Sequence, residues 1–232
     1  APSEDESLMA EVTIDENDGV LWLAVEGLLG RFDRKEIKRF TKEDGLPEGK
    51  LPYCIKVDAG GAVWVGYSGF VYRFDGKSWC RWELKLKEPR AFTATAYQIG
   101  FDGRGSTYAA GTHVLSIVKG ETCRSVVINK DFNVFSSGDC PSCVYVDRDN
   151  TVWIGTEGNG VVVVRDGDVR TLGGHKSGSV ENTLGIDEDS KGDIWIGSRR
   201  SLFRVDRETF KTEEYVLRGR IPGVILNFAL DR

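Results

Sequence analysis

The 232-residue chain has no run of 18 apolar residues, so nothing in it reads as a membrane-spanning helix. It has no block of basic residues. Lys and Arg are scattered, and the formal net charge is −5, which argues against a phosphate-binding footprint for nucleic acid. It has only two histidines, His113 and His175, and they fall in different stretches without metal-ligand spacing. It has one CxxC, Cys140-Pro141-Ser142-Cys143, with no second pair to complete a zinc site. No cofactor is expected. Five cysteines leave at least one unpaired within the chain, so the redox compartment stays open, and a Cys140–Cys143 disulfide fits only an oxidising one. No signal peptide is legible, and the chain opens on Ala1-Pro2-Ser3-Glu4 rather than Met.

What the chain has in excess is glycine, 28 residues against about 16 at the usual roughly 7%. No Gly-X-Y period accompanies them, so they point to turns. The turns come with a repeated phrase: an Asp, a Gly- or Asn-containing turn, an apolar residue, Trp, an apolar residue, then Gly or Ala. Leu21-Trp22-Leu23-Ala24, Val63-Trp64-Val65-Gly66, Val152-Trp153-Ile154-Gly155 and Ile194-Trp195-Ile196-Gly197 carry it, led by Asp15, Asp58, Asp147 and Asp187. A weaker copy runs from Asp102 to Tyr108, where a bulge or an adapted unit is expected because Gly111-Thr112 is displaced by one residue. The aromatic anchors stand 42, 44, 45 and 42 residues apart.

Each copy reads as four strands. In the second, Cys54-Ile55-Lys56-Val57, Val63 to Tyr67, Phe70 to Phe74 and Lys77 to Trp82 are separated by Asp58-Ala59-Gly60-Gly61, Ser68-Gly69 and the hairpin signal Asp75-Gly76. A 42–45-residue period of four strands is a β-propeller blade. The expected fold is therefore all-β: residues 1–7 as a flexible acidic N-terminus, and 8–232 as a single propeller of five blades anchored at Trp22, Trp64, Tyr108, Trp153 and Trp195. A closed five-bladed monomer is favoured over a segment of a larger propeller or one that closes with a second copy. The tail Val224-Ile225-Leu226-Asn227-Phe228-Ala229-Leu230-Asp231 reads as a further first strand. The Trp residues are expected to wedge between adjacent blades, and the leading Asp residues to pin turns. Cys54, Cys80, Cys123 and Cys143 repeat at strand positions and are expected to be small buried residues.

The stretch from Asp147 to Val161, with Leu28 to Asp33, Gly69 to Asp75 and Ser201 to Asp206, resembles the two-component-regulator propeller repeat. That resemblance implies the sensor region of a membrane histidine kinase, commonly periplasmic and often linked to carbohydrate sensing, although such regions usually carry more than five repeats. No kinase, receiver or DNA-binding module is present in the sequence. The expected function is a non-catalytic ligand- or partner-binding module, periplasmic or extracellular, taking a small molecule, glycan or protein on the face formed by the loops between strands two and three and between blades. Candidate binding residues there are Glu26, Tyr67, His113, Glu157, Asn159, Arg199 and Arg200; Glu43, Asp44, Arg90, Asp139, His175 and Asn182 share that face. Arg199 and Arg200 could form a fork for an anion. The alternatives are a propeller enzyme or an assembly fragment. Leu21 to Glu26 is similar to the repeat of streptogramin lyases, but the other copies do not sustain the likeness. A glycoside hydrolase needs paired carboxylates. The slot ten residues before each anchor holds Val12, Cys54, Gln98, Cys143 and Gly185, so catalytic residues are not expected.

Overall fold

The computed structural model describes residues 10–15, 19–25, 28–85, 94–128, 140–158, 160–173, 182–199 and 201–217. They form five antiparallel four-stranded sheets in chain order. The first blade contains β1 (Ala10–Asp15), β2 (Val20–Val25), β3 (Leu28–Phe32) and β4 (Ile37–Phe40). The second contains β5 (Cys54–Val57), β6 (Val63–Tyr67), β7 (Phe70–Phe74) and β8 (Trp79–Glu83). The third contains β9 (Gln98–Phe101), β10 (Ser106–Ala110), β11 (Val114–Lys119) and β12 (Thr122–Val127). The fourth runs through β13 (Pro141–Val146), β14 (Val152–Thr156), β15 (Val161–Arg165) and β16 (Asp168–Leu172), and the fifth through β17 (Thr183–Glu188), β18 (Ile194–Ser198), β19 (Ser201–Val205) and β20 (Thr212–Val216). First strands pack successively on one another, from β1 through β5, β9 and β13 to β17, so they line the axis.

One side-chain device repeats at the turn between the first and second strands. Asp58 Oδ1 accepts the amides of Gly60 and Ala62, while its Oδ2 accepts the Trp64 indole N–H at 2.8 Å. Asp147 does the same for Asp149, Thr151 and Trp153. In the third blade Asp102 holds Arg104 and Ser106 and accepts the Tyr108 hydroxyl at 3.1 Å. Tyr therefore reproduces the Trp contact with an O–H donor. In the fifth blade the residue that does this is Asp189, not Asp187: it accepts Lys191, Asp193 and the Trp195 indole. The spacing from aspartate to aromatic is six residues in all four blades, which selects the third acid of Asp187-Glu188-Asp189.

The blades meet in buried seams. Strand-one residues three and one before the turn aspartate face the preceding blade. Ile55 and Val57 pack with Trp22, Ile99 and Phe101 with Trp64, Val144 and Val146 with Tyr108, and Ile186 with Trp153. The glycines two residues after Trp64 and Trp153 are required by this approach. A Cβ on Gly155 would stand 2.5 Å from Thr183 Cγ2 and 2.6 Å from Cys143 Sγ; one on Gly66 would stand 2.8 Å from Ala96 Cβ. Real Cβ atoms do not come that close, so the next blade's inner strand can pass only over a bare Cα.

Several expectations change. The third blade pairs without a register shift; the shifts lie in the fourth blade between Pro141 and Cys143 and in the fifth between Thr183 and Gly185. Cys80 is exposed rather than buried, because it lies on β8, the outermost strand of its blade. None of the five cysteines forms a disulfide, Cys140 and Cys143 included. Trp22, Trp64 and Trp153 are buried between blades, but Trp195 is only half-buried and stacks on Tyr215. No buried cluster joins the fifth blade to the first among the described residues, and Val12 and Ile14 on β1 are each 55% exposed. Four seams are thus built, and the fifth is open there.

Candidate functional site

Two faces of the disc are available. On the loop face, the loops between strands two and three are stitched to the next blade's entry strand. The Gly69 amide donates to the Ala94 carbonyl and the Ala96 amide to the Tyr67 carbonyl. Two blades on, the Asn182 amide donates to the Glu157 carbonyl, and the Glu157 amide to that of Cys140. These bonds fix the mouth of the axis before any ligand arrives.

The structure distributes the predicted residues unevenly over this face. Tyr67 is buried; its ring stands edge-on to Tyr72 at 5.4 Å, and burial pushes its phenol well above the ordinary tyrosine range. It forms the inner wall of an open depression of about 400 Å³ closed by the 41–51 loop, which also contributes Glu43. Thr41 caps the short 3-10 turn Lys42–Asp44 there, its amide donating to Asp44 at 2.8 Å. His113 is half-buried in the turn between β10 and β11, and burial lowers its pKa below the usual histidine value. Glu157 and Arg199 are exposed on the loops of the fourth and fifth blades. Glu26, Asn159, Arg200, Arg90, Asp139 and His175 lie outside the described residues.

What gathers at the mouth is a set the sequence reading passed over. Tyr53 and Tyr97, at the entries to the second and third inner strands, meet edge-to-face with centroids 4.8 Å apart. Burial raises the Tyr97 phenol, with Cys140 and Tyr53 beside it adding to the effect and a hydrogen bond to Thr112 opposing it. Ser142 Oγ donates to the Thr183 carbonyl at 2.5 Å, joining the entries of the fourth and fifth blades. The signal was present: Tyr53, Tyr97 and Ser142 all stand eleven residues before their anchors. The group is aromatic and hydroxylic, and Tyr97 stays neutral at physiological pH.

The opposite, turn face holds a concavity of about 700 Å³ between Arg104, Arg148 and Ser190. Its charges are mostly spent on the fold. The Arg148 guanidinium pairs with the buried Glu188, whose carboxylate also accepts the Arg148 amide at 3.1 Å and Arg207 at 3.2 Å. Asp147 and Asp189 there are the turn-pinning acids. No group of three or more potential metal ligands occurs among the described residues.

Residues 136–158 match a family model described as the two-component regulator propeller. The chain carries the two-component regulator propeller repeat. The match falls on the fourth blade's first two strands, including the Asp147–Trp153 pair and Gly155. No curated protein sequence matches this one. Among solved structures, virginiamycin B lyase from Staphylococcus aureus is similar, with a TM-score of 0.66 at 14% identity over 90% of this chain and 74% of that one. A catalytically inactive variant of that lyase with quinupristin gives 0.67 at 16% identity, covering 94% of this chain and 72% of the other. The extracellular domain assigned to a hybrid two-component system of B. thetaiotaomicron gives 0.61 at 16% identity, covering 92% of this chain and 30% of its own. At such identities these likenesses establish the β-propeller fold alone.

Proposed function

We propose that this propeller is a non-catalytic recognition module that binds a small, neutral, hydroxylated ligand at the mouth of its axis, on the extracytoplasmic side of a membrane. The observation that carries the reading is the Tyr53–Tyr97 pair beside Thr112 and Cys140, with Ser142 at the entry to the fourth blade's inner strand. Two phenol rings offer apolar edges and O–H groups, and serine and threonine hydroxyls add direction. That combination suits a ring bearing several hydroxyls better than a charged ligand. The stitched loops hold it in place, so little ordering cost falls on binding.

The location rests on the likeness to the extracellular domain of a hybrid two-component system. The thiols are compatible with it. Burial pushes the Cys143 thiol up to about 11 and raises Cys123 as well, so neither offers much reactive thiolate at neutral pH.

A thermal-shift screen of mono- and oligosaccharides, cyclitols and anionic metabolites tests the proposal. Saturation at a hundredfold over Kd adds about 2.7 kcal/mol of stability. The expected result is stabilisation by a hydroxylated class, lost in Tyr97→Ala. Because lyases share the fold, the same chain is incubated with a streptogramin B and followed by mass spectrometry. An opened product, with no stabilisation by any ligand, would replace this reading with an enzymatic one.

A further inference from the structure

The first two seams share a plan but are filled differently. In the first blade Trp22 stacks on Phe40 at 5.3 Å, and two rings of the second blade close over that pair. Phe74 lies 5.6 Å from Trp22 and 5.3 Å from Phe40, and Trp79 lies 6.4 Å and 5.5 Å from them. In the second blade Trp64 and Trp82 repeat the stack at 5.3 Å. The register sets Val118 and Cys123 of the third blade where the second blade has Phe74 and Trp79. Phe74 and Val118 each pair with the residue before their blade's anchor aromatic, and Trp79 and Cys123 pair with them in turn. Two large rings are thus replaced by two small side chains. Phe101, where the first seam has Val57, recovers part of the volume, its ring 6.1 Å from Trp64.

What remains is a groove of about 490 Å³ lined by Trp64, Trp82, Phe101 and Val118. The Trp82 indole donates to the Gly120 carbonyl at 3.1 Å and ties the two blades together beside it. Gly103 and Gly105 line its end on the turn face, and a Cβ on either would meet nothing within 4 Å, so no side chain bars the way in.

We propose that this groove is a second binding site, separate from the mouth of the axis, for an uncharged planar aromatic molecule of one or two rings that carries a hydrogen-bond acceptor. The first seam supplies the fit: there the protein itself seats aromatic rings edge-on against the equivalent stack, an arrangement aromatic pairs favour. The charges at the groove supply the rest. Arg73 lies over Trp64 at 5.8 Å, and its Nε stands 3.8 Å from Asp58 Oδ2, beyond hydrogen-bond distance, so the guanidinium keeps donors for an acceptor on the ligand. Asp58 and Asp102 also line the groove, and each carboxylate already accepts two amides and an aromatic donor. Their charge opposes an anion, and Arg73 opposes a cation.

The test is fluorine NMR on the full chain labelled with 5-fluorotryptophan, its six signals assigned by single Trp→Phe replacements, with coumarin and quinoline as neutral probes. At least one probe is expected to shift Trp64 and Trp82 together along one saturable curve while Trp153 and Trp195 stay in place. Val118→Phe, which returns a ring of the first seam to the groove, is expected to weaken that binding roughly tenfold or more. Arg73→Leu removes the donor at a half-exposed position and is expected to weaken it roughly tenfold; it decides the matter if Val118→Phe does not fold. Coumarin-3-carboxylate and N-methylquinolinium are expected to bind roughly tenfold more weakly than their neutral parents. The proposal is overturned if neither neutral probe moves Trp64 and Trp82, if binding is undiminished in Arg73→Leu or in folded Val118→Phe, or if a charged analogue binds as tightly as its parent.

Discussion

The Trp153 indole donates to Asp147 Oδ2 at 3.0 Å while the other oxygen of the same carboxylate accepts the Asp149 and Thr151 amides. One buried acid thus joins the turn, the second strand and the blade seam. Trp153→Ala is expected to cost about 3–5 kcal/mol in urea denaturation, the range for truncating a buried aromatic. Trp195→Ala makes the contrast. It loses the equivalent bond to Asp189 but less buried surface, so its cost is expected to be clearly smaller. Equal costs would mean that Trp195 is as enclosed as Trp153.

Gly155→Ala is expected to destabilise by about 1–3 kcal/mol, because the added methyl meets Thr183 and Cys143 and the inner strand of the fifth blade must shift. Gly103→Ala serves as the control. Nothing lies within 4 Å of where its Cβ would sit, and its change is expected to stay within about 0.5 kcal/mol. Both are read from the midpoint of chemical denaturation.

The acid limb of stability should carry Asp189. Burial works against its charge, but the Trp195 indole and the amides of Asp193 and Lys191 outweigh it and hold the carboxyl below its ordinary value. A lowered folded pKa gives stability that is present above the unfolded value of about 3.9 and is lost as pH falls through the folded one. Asp189→Asn is therefore expected to lower Tm at pH 7 and to converge on the wild type at the acid end. A gap that stays constant down the pH scale would contradict the assignment.

His113 acts at milder pH. Burial lowers its pKa, so protonation favours the unfolded chain, and stability falls as pH drops below about 6.5. His113→Gln is expected to flatten the Tm profile between pH 7 and 5. His175 is present in both proteins, so the difference between the two is the readout.

Much of this was legible in the sequence, and the misses have identifiable causes. The 42–45-residue period and the hairpin glycines fixed blade number and strand order, because a four-stranded module repeats its turn chemistry wherever it repeats its packing. β5 falls on Cys54–Val57 as read. The fifth blade's acid was misassigned because Asp187 and Asp189 both precede Trp195, and only the six-residue reach of the carboxylate to the indole separates them. The open seam was not legible: Val12 and Ile14 have the composition of core residues, and exposure depends on whether a neighbouring sheet arrives. Tyr53 and Tyr97 were overlooked for a different reason. They begin strands rather than occupy loops, and a search for variable loops passes over the strand entries that ring the axis.

The central claim is that recognition occurs at the tyrosine-lined mouth and not in the larger concavity on the turn face. Isothermal titration of the best ligand from the screen into Tyr53→Ala and Arg104→Ala tests it most directly. Loss of binding in Tyr53→Ala, with Arg104→Ala indistinguishable from wild type, is the predicted result. Binding that survives Tyr53→Ala and disappears in Arg104→Ala would place the site on the opposite face and contradict the account.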